Sequence, residues 1–275
     1  MSPDASILMC APEYFDVAYV INPWMTDHVR RIDPLVALRQ WRALYDHIVT
    51  LAPVRLVRPE PSAPDMVFTA NAGLVCGRSF VLARFRHEER QTEEPYFAEW
   101  FLEKGYAVHR PPPELFFEGA GDALFDRGVP VLWMGYGHRS SAGAEAFLGT
   151  ILKDAGHAVE VVTLELIDAH FYHLDTCFCP LEGGYLLVHP AAFSAASLLA
   201  IEARVPPEKR IVCGADDARD FACNAVNIGD VVILNRASPE LVRGLNAHGF
   251  AVVQTDLTEF MKAGGAAKCL TLALE

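Results

Sequence analysis

The sequence lacks the features that mark several large classes of protein. No Cys-x-x-Cys pair occurs, and the seven cysteines are scattered and odd in number, so neither a structural zinc site nor a disulfide framework is indicated. No apolar run approaches the roughly 20 residues that span a bilayer, and the first residues carry no basic stretch followed by an apolar one. We therefore expect a protein of the reducing cytoplasm that enters no membrane.

Basic residues are also scarce. Lysine and arginine number 23 against 35 aspartates and glutamates, which gives a formal net charge of −12. A nucleic-acid-binding protein is expected to carry a basic face, so this balance argues against nucleic acid as a partner. Hydrophobic residues make up 52% of the 275 residues and charged residues only 21%, which excludes a disordered chain and allows a large core.

Helical periodicity alternates with short apolar runs along the chain. Apolar residues recur at spacings of three and four in residues 35–51, and similar patterns predict further helices, at residues 92–104, 142–155, 194–204, 238–248 and 256–263. The apolar runs between them predict strands, several of which tight glycine turns join into hairpins. No linker divides this mixed α/β chain, so we expect one domain over residues 1–275.

A weak internal repeat recurs about every 50 residues. Five segments share polar residues, then small residues, then an apolar strand, and they contain Asp65, Glu118, His173, Asn227 and Cys269. Such a repeat indicates a radial arrangement of five αβ units, in which each polar strand start lies near a common centre. The alternative is coincidence, because many strands begin with polar residues.

Acidic residues are frequent where the strands of this repeat begin. Glu118 and Asp122 stand in FFEGAGD, among phenylalanine and small residues. Carboxylates are rarely buried unless they are paired, and several together repel each other unless a cation lies between them. A guanidinium matches carboxylates with its fork of donors, so the pattern favours an arginine-like ligand. A metal is the competing cation, but the HExxH and EF-hand patterns are absent.

Cys269 and His173 add a nucleophile and an acid–base group to this pattern. Cys269 follows Lys268 and a flexible Ala-Gly stretch, and a cysteine attacks as a thiolate whose pKa is lowered by cationic neighbours. A bound guanidinium, Lys268 or protonated His173 could each serve as that cation. His173 suits a general acid for a leaving amine and then a base for water. The alternative is structural: a cysteine that fills the core and a histidine that pairs at a strand edge.

The order of these motifs resembles the guanidine-modifying enzymes, the pentein superfamily of αβ-propellers with five-fold pseudosymmetry. The resemblance extends from APEYFDVAYVINPWM through PDMVFTANAG, FEGAGD, HLDTCFCPL and NAVNIGD to KCLTLAL. The first two segments are most similar to arginine dihydrolases, which convert arginine to ornithine, carbon dioxide and two ammonia. The resemblance implies a hydrolase that needs neither metal nor cofactor and acts on the guanidino group of free L-arginine or a close derivative.

The resemblance also implies roles for individual residues. Cys269 matches the nucleophile that forms a covalent amidino-thioether, and His173 matches its acid and base. Glu118 matches the carboxylate that orients the guanidinium and partners His173. Asp175 matches the second guanidinium carboxylate of the deiminases, and Asp65 matches a residue that holds the α-amino group.

Four further residues complete the implied substrate site. Arg90 and Arg139 resemble the arginines that hold the α-carboxylate, and Asn22 falls in a segment that resembles a lid. Deiminases and dimethylarginine hydrolases usually carry aspartate where this chain has Asn71, so the site loses an anionic contact and a dihydrolase is favoured. An amide also donates, which suits the ureido oxygen of citrulline before a second attack. The alternative is that Asn71 only caps the turn at residues 70–73.

Several functions stay open on the sequence alone. A dimethylarginine dimethylaminohydrolase would release citrulline and a methylamine, a deiminase would stop at citrulline, and an amidinotransferase would use an amine in place of water. From other classes, a non-catalytic arginine-binding protein and a metal-dependent ureohydrolase remain. The sequence does not choose among arginine, methylarginine, agmatine and citrulline, and it is compatible with a homo-oligomer without deciding the oligomeric state.

Overall fold

The structure of the protein is a computed structural model that describes residues 6–274. Within this range the strands form five three-stranded sheets of one topology, in which the inner strand is antiparallel to the middle strand and the middle strand is parallel to the outer strand. The strands are, in chain order, β1 (Ser6–Cys10), β2 (Val54–Val57), β3 (Gly73–Cys76), β4 (Ser79–Leu82), β5 (Ala107–His109), β6 (Ala123–Phe125), β7 (Val131–Tyr136), β8 (Glu160–Glu165), β9 (Phe178–Leu181), β10 (Tyr185–Val188), β11 (Arg210–Val212), β12 (Val226–Ile228), β13 (Val231–Leu234), β14 (Ala251–Gln254) and β15 (Leu272–Leu274). The five-fold αβ-propeller expected from the repeat is confirmed.

Helices connect the middle strand of each sheet to its outer strand. The helices of the described residues are α1 (Pro34–Val49), α2 (Glu88–Gln91), α3 (Glu94–Glu103), α4 (Ala144–Asp154), α5 (Ala195–Glu202), α6 (Ala215–Arg219), α7 (Pro239–Ala247) and α8 (Thr258–Met261). The six predicted helices are confirmed, with ends that differ by two residues or fewer. The short helices α2 and α6 were not predicted, because four or five residues are too few to show a periodicity.

The longest helix, α1, shows how the sequence specifies these connections. The side chain of Asp33 accepts hydrogen bonds from two backbone N–H groups of the first turn, and Pro34 occupies a position where no N–H is needed. Its buried face consists of Ala37, Gln40, Trp41, Leu44 and Ile48. Burial of each large apolar side chain stabilises the packed helix by about 1.5–3 kcal/mol.

The five inner strands are β3, β6, β9, β12 and β15, and tight turns precede them. Short 3-10 turns occupy Thr69–Ala72 before β3, Gly119–Gly121 before β6 and Leu174–Thr176 before β9. The turn before β6 packs against both the turn before β3 and the turn before β9. The turns therefore bring the polar strand starts of different units into contact.

The ring of sheets closes by pairing the two ends of the described chain. Strand β1 pairs antiparallel with β15, from Ser6 opposite Leu274 to Leu8 opposite Leu272. The first sheet thus takes its middle and outer strands from the beginning of the chain and its inner strand from the end. Among the described residues, no helix combines the length and hydropathy that a bilayer crossing needs.

Candidate active site

All nine residues that the sequence nominated meet around one narrow cavity near the starts of the inner strands. Each is at most 7% exposed: Asn22, Asp65, Asn71, Arg90, Glu118, Arg139, His173, Asp175 and Cys269. Six of them line the cavity itself. The other three, Glu118, His173 and Asp175, are hydrogen-bonded to side chains that line it. The repeat therefore predicted correctly that Asp65, Glu118, His173, Asp175 and Cys269 come together, and the other four residues, which the resemblance implied, join them.

Glu118 stands between a histidine and an arginine. Its Oε2 lies 2.7 Å from His173 Nε2 and accepts a hydrogen bond of 2.9 Å from Arg139 Nη1, while Oε1 accepts one from the backbone N–H of Arg86. Burial alone would raise the pKa of Glu118, but Arg139 and His173 hold that pKa well below its usual value. Glu118 is therefore ionised, and since a carboxylate only accepts, the imidazole of His173 donates to it.

Cys269 lies beside a second carboxylate. Its Sγ is 3.3 Å from Asp175 Oδ2, to which the thiol donates. Burial raises the pKa of the Cys269 thiol and the charge of Asp175 raises it further, while Lys268 lowers this pKa without outweighing them. Burial also raises the pKa of Asp175, to about 6. These surroundings favour the thiol form of Cys269, and a cation besides Lys268 is needed to favour the thiolate.

Asp65 presents a carboxylate oxygen to the cavity. Its Oδ2 accepts a hydrogen bond of 2.9 Å from the Tyr19 hydroxyl and lies 3.9 Å from Arg90 Nε. Its Oδ1 is buried and has no hydrogen-bond partner within residues 6–274. Burial raises the pKa of Asp65. A buried acceptor without a partner is costly, so this oxygen favours a ligand that donates, such as an ammonium group.

Both arginines line the cavity, but they use different numbers of their N–H donors in hydrogen bonds within the protein. Arg90 makes a bidentate pair with Glu93 at 2.7 and 2.9 Å. Arg139 stacks its guanidinium over the Tyr172 ring and donates to Glu118 and to the backbone oxygen of Ile21. Arg90 donates four hydrogen bonds, to Glu93, Asn71 and the backbone oxygen of Asp65, whereas Arg139 donates the two just named, so Arg139 has more donors left for an anionic ligand.

Asn71 is oriented by its neighbours. Its Oδ1 accepts a hydrogen bond of 2.9 Å from Arg90 Nη1, which turns Nδ2 toward His173 Nδ1 and the backbone oxygen of Glu118, each 3.5 Å away. The interpretation that Asn71 only caps its own turn is therefore wrong. A Cβ on Gly121 would lie 2.2 Å from Asn71 Nδ2, so the second glycine of FEGAGD provides the space for this amide.

Asn22 connects the N-terminal loop to the segment before Cys269. Its Oδ1 accepts from the backbone N–H of Trp24 and caps the short turn Pro23–Met25, while its Nδ2 donates to the backbone oxygen of Ala263 at 3.0 Å. The N-terminal loop therefore lies over the cavity, at the position that the sequence assigned to a lid.

Sequence reasoning missed three buried polar residues of the site. Glu93 holds Arg90, and its i,i+3 spacing from Arg90 was the available signal. Asp122, noted among the strand starts but given no role, joins two segments of the site, because its carboxylate accepts from the Ser140 hydroxyl and from the backbone N–H of Leu174. Asn224 donates a hydrogen bond to Cys269 Sγ.

The fourth repeat was aligned on the wrong asparagine. Asn227 lies within β12, and its side-chain oxygen accepts from Arg127 and from the backbone N–H of Glu182, outside the narrow cavity. Asn224, which directly precedes the strand region, is the residue that faces Cys269. Within residues 6–274, no group of three or more His, Cys, Asp or Glu side chains is arranged to hold a metal ion.

The chain is similar to known proteins over nearly its whole length. A family model described as N,N dimethylarginine dimethylhydrolase, eukaryotic, matches residues 36–275. The bifunctional arginine dihydrolase/ornithine cyclodeaminase ArgZ of Synechocystis is 55% identical over 99% of this chain, which spans only 38% of that protein. The N(G),N(G)-dimethylarginine dimethylaminohydrolase of Mycobacterium tuberculosis is 40% identical over 97% of this chain and 84% of that protein.

Solved structures agree with these similarities. The N-terminal domain of ArgZ, in a cysteine-to-serine mutant bound to substrate, superimposes with a TM-score of 0.96 at 54% identity and covers 98% of both chains. A second structure of the ArgZ domain, with an asparagine-to-serine replacement, is covalently bonded to a reaction intermediate. A dimethylarginine dimethylaminohydrolase adduct at 22% identity shares the fold, with a TM-score of 0.78.

Proposed function

Because the chain belongs to the family of N,N-dimethylarginine dimethylhydrolases, we propose that it is a cysteine hydrolase of the guanidino group of free L-arginine. Within that family we propose arginine dihydrolase activity, which yields ornithine, carbon dioxide and two ammonia. The observation that carries this choice is the amide of Asn71, whose donor faces the His173–Glu118 pair beside the Cys269 cavity. The higher identity to the arginine dihydrolase than to the dimethylarginine hydrolase supports it.

The proposed binding mode places charges of opposite sign in contact. The guanidinium lies between Glu118 and Asp175, and the unpaired oxygen of Asp65 accepts from the α-amino group. Arg90 and Arg139 hold the α-carboxylate, and Asn22 covers the cavity. A guanidinium next to Cys269 also supplies the cation that the thiol lacks, so substrate binding itself favours the thiolate.

The first hydrolysis then follows from these positions. The thiolate of Cys269 attacks the guanidinium carbon, a proton from His173 passes to one terminal nitrogen, and the C–N bond breaks to release ammonia. The product of this step is an amidino-thioether on Cys269. His173 takes a proton from water, the water oxygen bonds to the same carbon, and the C–S bond breaks to return the thiolate and leave citrulline.

The second hydrolysis requires that citrulline stays in place. Its ureido oxygen needs a donor, and Asn71 Nδ2 supplies one. Cys269 attacks the ureido carbon, a second ammonia leaves, and a thiocarbamate remains on the sulfur. Water then displaces the sulfur to give the carbamate of ornithine, which loses carbon dioxide. No step uses a metal or cofactor, and positioning and charge carry the chemistry.

Product counting tests the proposed function. The wild-type protein should release two ammonia and one ornithine per arginine, and it should consume added citrulline. Mass spectrometry and an ammonia assay on one reaction mixture measure all three products, with a metal chelator present throughout. Stoichiometric accumulation of citrulline from arginine would show that the protein is a deiminase and not a dihydrolase. Release of a methylamine from dimethylarginine at a higher rate than ammonia release from arginine would favour a dimethylarginine hydrolase.

Agmatine should be a much poorer substrate than arginine, because it has no α-carboxylate for Arg90 and Arg139. Loss of a buried charge-assisted pair costs on the order of 2–5 kcal/mol, which lowers kcat/KM by roughly 30- to 4,000-fold. Steady-state ammonia release on both substrates gives the ratio. Equal kcat/KM values on the two would show that these arginines serve only Glu93 and Glu118, their partners in the ligand-free site.

We also propose that residues 1–275 act as one catalytic domain. Every unit of the ring supplies a residue of the site, in the order Asn71, Glu118, His173, Asn224 and Cys269. The reducing cytoplasm suits a nucleophile that must stay reduced, and we propose that location for the activity.

A further inference from the structure

The side chain of Asn224 uses all of its hydrogen-bonding groups on the nucleophile and the residues around it. Its Nδ2 donates to Cys269 Sγ at 3.1 Å and to the backbone oxygen of Asp175 at 3.0 Å. Its Oδ1 accepts from the backbone N–H groups of Ala266 and Cys269, at 3.0 and 3.2 Å. Asn224 is itself 0% exposed, so without it these buried backbone groups would lose a partner and the sulfur would keep only its contact with Asp175.

The main chain of Asn224 strengthens the same connection. Its carbonyl oxygen accepts from the backbone N–H of Lys268, so side chain and main chain together bind three backbone N–H groups of the segment 266–269, in addition to the Cys269 sulfur. Three residues earlier, buried Phe221 adopts φ = 60°, the left-handed region that non-glycine residues rarely occupy. The N–H of Asn224 donates to the Phe221 carbonyl. A strained turn that is packed in place fixes the amide rigidly.

We propose that Asn224 is a further catalytic residue, whose amide donates a hydrogen bond to the Cys269 thiolate as it forms and holds that sulfur at a fixed distance from Asp175. The position requires two donors, for Cys269 and Asp175, and one acceptor for two backbone N–H groups. Aspartate lacks the donors, glutamine is one methylene longer, and serine has one donor instead of two. The inference rests on the proposed function only in taking Cys269 as the nucleophile. It is otherwise independent of which guanidino compound is the substrate.

The electrostatics of the site explain why such a donor matters. Burial and Asp175 raise the pKa of Cys269, and the hydrogen bond from Asn224 acts in the opposite direction, as does Lys268. The charged groups that shift the pKa of this thiol are Asp175, whose carboxylate lies 3.3 Å from the sulfur, and Lys268, and the titratable Tyr172 also interacts with Cys269. A donor that strengthens as charge develops on sulfur lowers the barrier without binding the substrate more tightly.

The test is Asn224→Asp, with Asn235→Asp as the matched control. Asn235 is also a buried asparagine that bridges two loops, since its Nδ2 donates to the backbone oxygen of Asp220 and its Oδ1 accepts from the N–H of Leu257, and it does not contact Cys269. Two readouts are needed: iodoacetamide alkylation of Cys269 across pH 7 to 10, followed by peptide mass spectrometry, and kcat and KM on arginine.

In Asn224→Asp, alkylation of Cys269 at a given pH should slow by about 10-fold or more, because an acceptor and a negative charge replace the donor. The kcat value should fall by about 10- to 100-fold with KM changed less than about threefold. Asn235→Asp should match wild type in both readouts. Wild-type alkylation in Asn224→Asp, or equal slowing in both variants, would overturn the proposal and leave Asn224 as a structural residue.

A measurement on the wild-type protein covers the case in which Asn224→Asp does not fold. The side-chain amide protons of Asn224, observed by NMR, should shift when Cys269 is alkylated, while those of Asn235 should stay in place. An unchanged Asn224 amide would refute the hydrogen bond to sulfur. Because alkylation requires no turnover, a failure of the dihydrolase assignment would show in the products and leave this result intact.

Discussion

Replacement of Cys269 by serine is expected to leave a folded protein that has lost activity on arginine by about 10³-fold or more. The serine hydroxyl keeps nearly the same volume in a position that is 2% exposed, so the packing around it is preserved. It has no thiolate character, and a neutral hydroxyl beside Asp175 is a poor nucleophile. Ammonia release measures the loss, and circular dichroism checks the fold.

The matched control is Cys10→Ser, another buried cysteine, in β1. Cys10→Ser should turn over arginine at the wild-type rate.

Because burial and Asp175 raise the pKa of Cys269, alkylation of the free protein should become faster as the pH rises past neutrality and the thiolate fraction grows. Cys269 lines the cavity and should react first, and arginine should protect it. Turnover by Cys269→Ser at more than a tenth of the wild-type rate would eliminate the mechanism.

Asn71→Asp should convert the protein from a dihydrolase into one that stops at citrulline or loses its activity. Arg90 Nη1 holds one oxygen of this side chain, so the new carboxylate would keep that contact and turn its second oxygen toward His173 Nδ1 and the carbonyl of Glu118. That oxygen only accepts, and it would repel the ureido oxygen of citrulline while it attracts a guanidinium. The first hydrolysis is therefore favoured over the second.

Loss of one donor to a developing negative charge costs about 10²- to 10³-fold in rate, and we expect citrulline turnover to fall by that order. Citrulline and ornithine should be counted in one assay of wild type and Asn71→Asp, with Asn235→Asp as a buried asparagine outside the cavity. If Asn71→Asp still gives two ammonia and one ornithine per arginine at the wild-type rate, the amide is not what retains citrulline.

Much of this arrangement could be predicted because its signals are local. Helix periodicity and the polar-small-apolar pattern are properties of short windows, and five such windows in order indicate a ring and therefore a common centre. That Cys269, His173 and Glu118 come together at this centre follows from the topology and needs no distances.

The rest depends on distances between segments, which a single sequence does not contain. In CNAVN either asparagine could face the centre. The turn from Phe221 to Asn224 precedes β12 and places Asn224 there, while Asn227 pairs with Val232 inside the sheet. The pairing of Arg139 with Glu118 joins residues on different turns of one unit. Whether Cys269 is a thiol also depends on burial. Burial raises its pKa and outweighs the lowering of that pKa by Lys268, which the sequence alone indicated.

The sheet that contains β1 and β15 joins segments that are synthesised far apart in time. Of the strands in residues 6–274, β1 and β2 are synthesised first, whereas the inner strand of their sheet, β15, comes after all the others, shortly after Cys269. Until then the free edge of β1 is a row of unpaired backbone groups that invites pairing with other chains. A chain that has not yet reached β15 already contains Asp65, Glu118 and Asp175, but its ring of sheets is still open. Pairing of β15 with β1 therefore does two things at once: it covers the free edge of β1, and it draws the preceding Cys269 into the cavity.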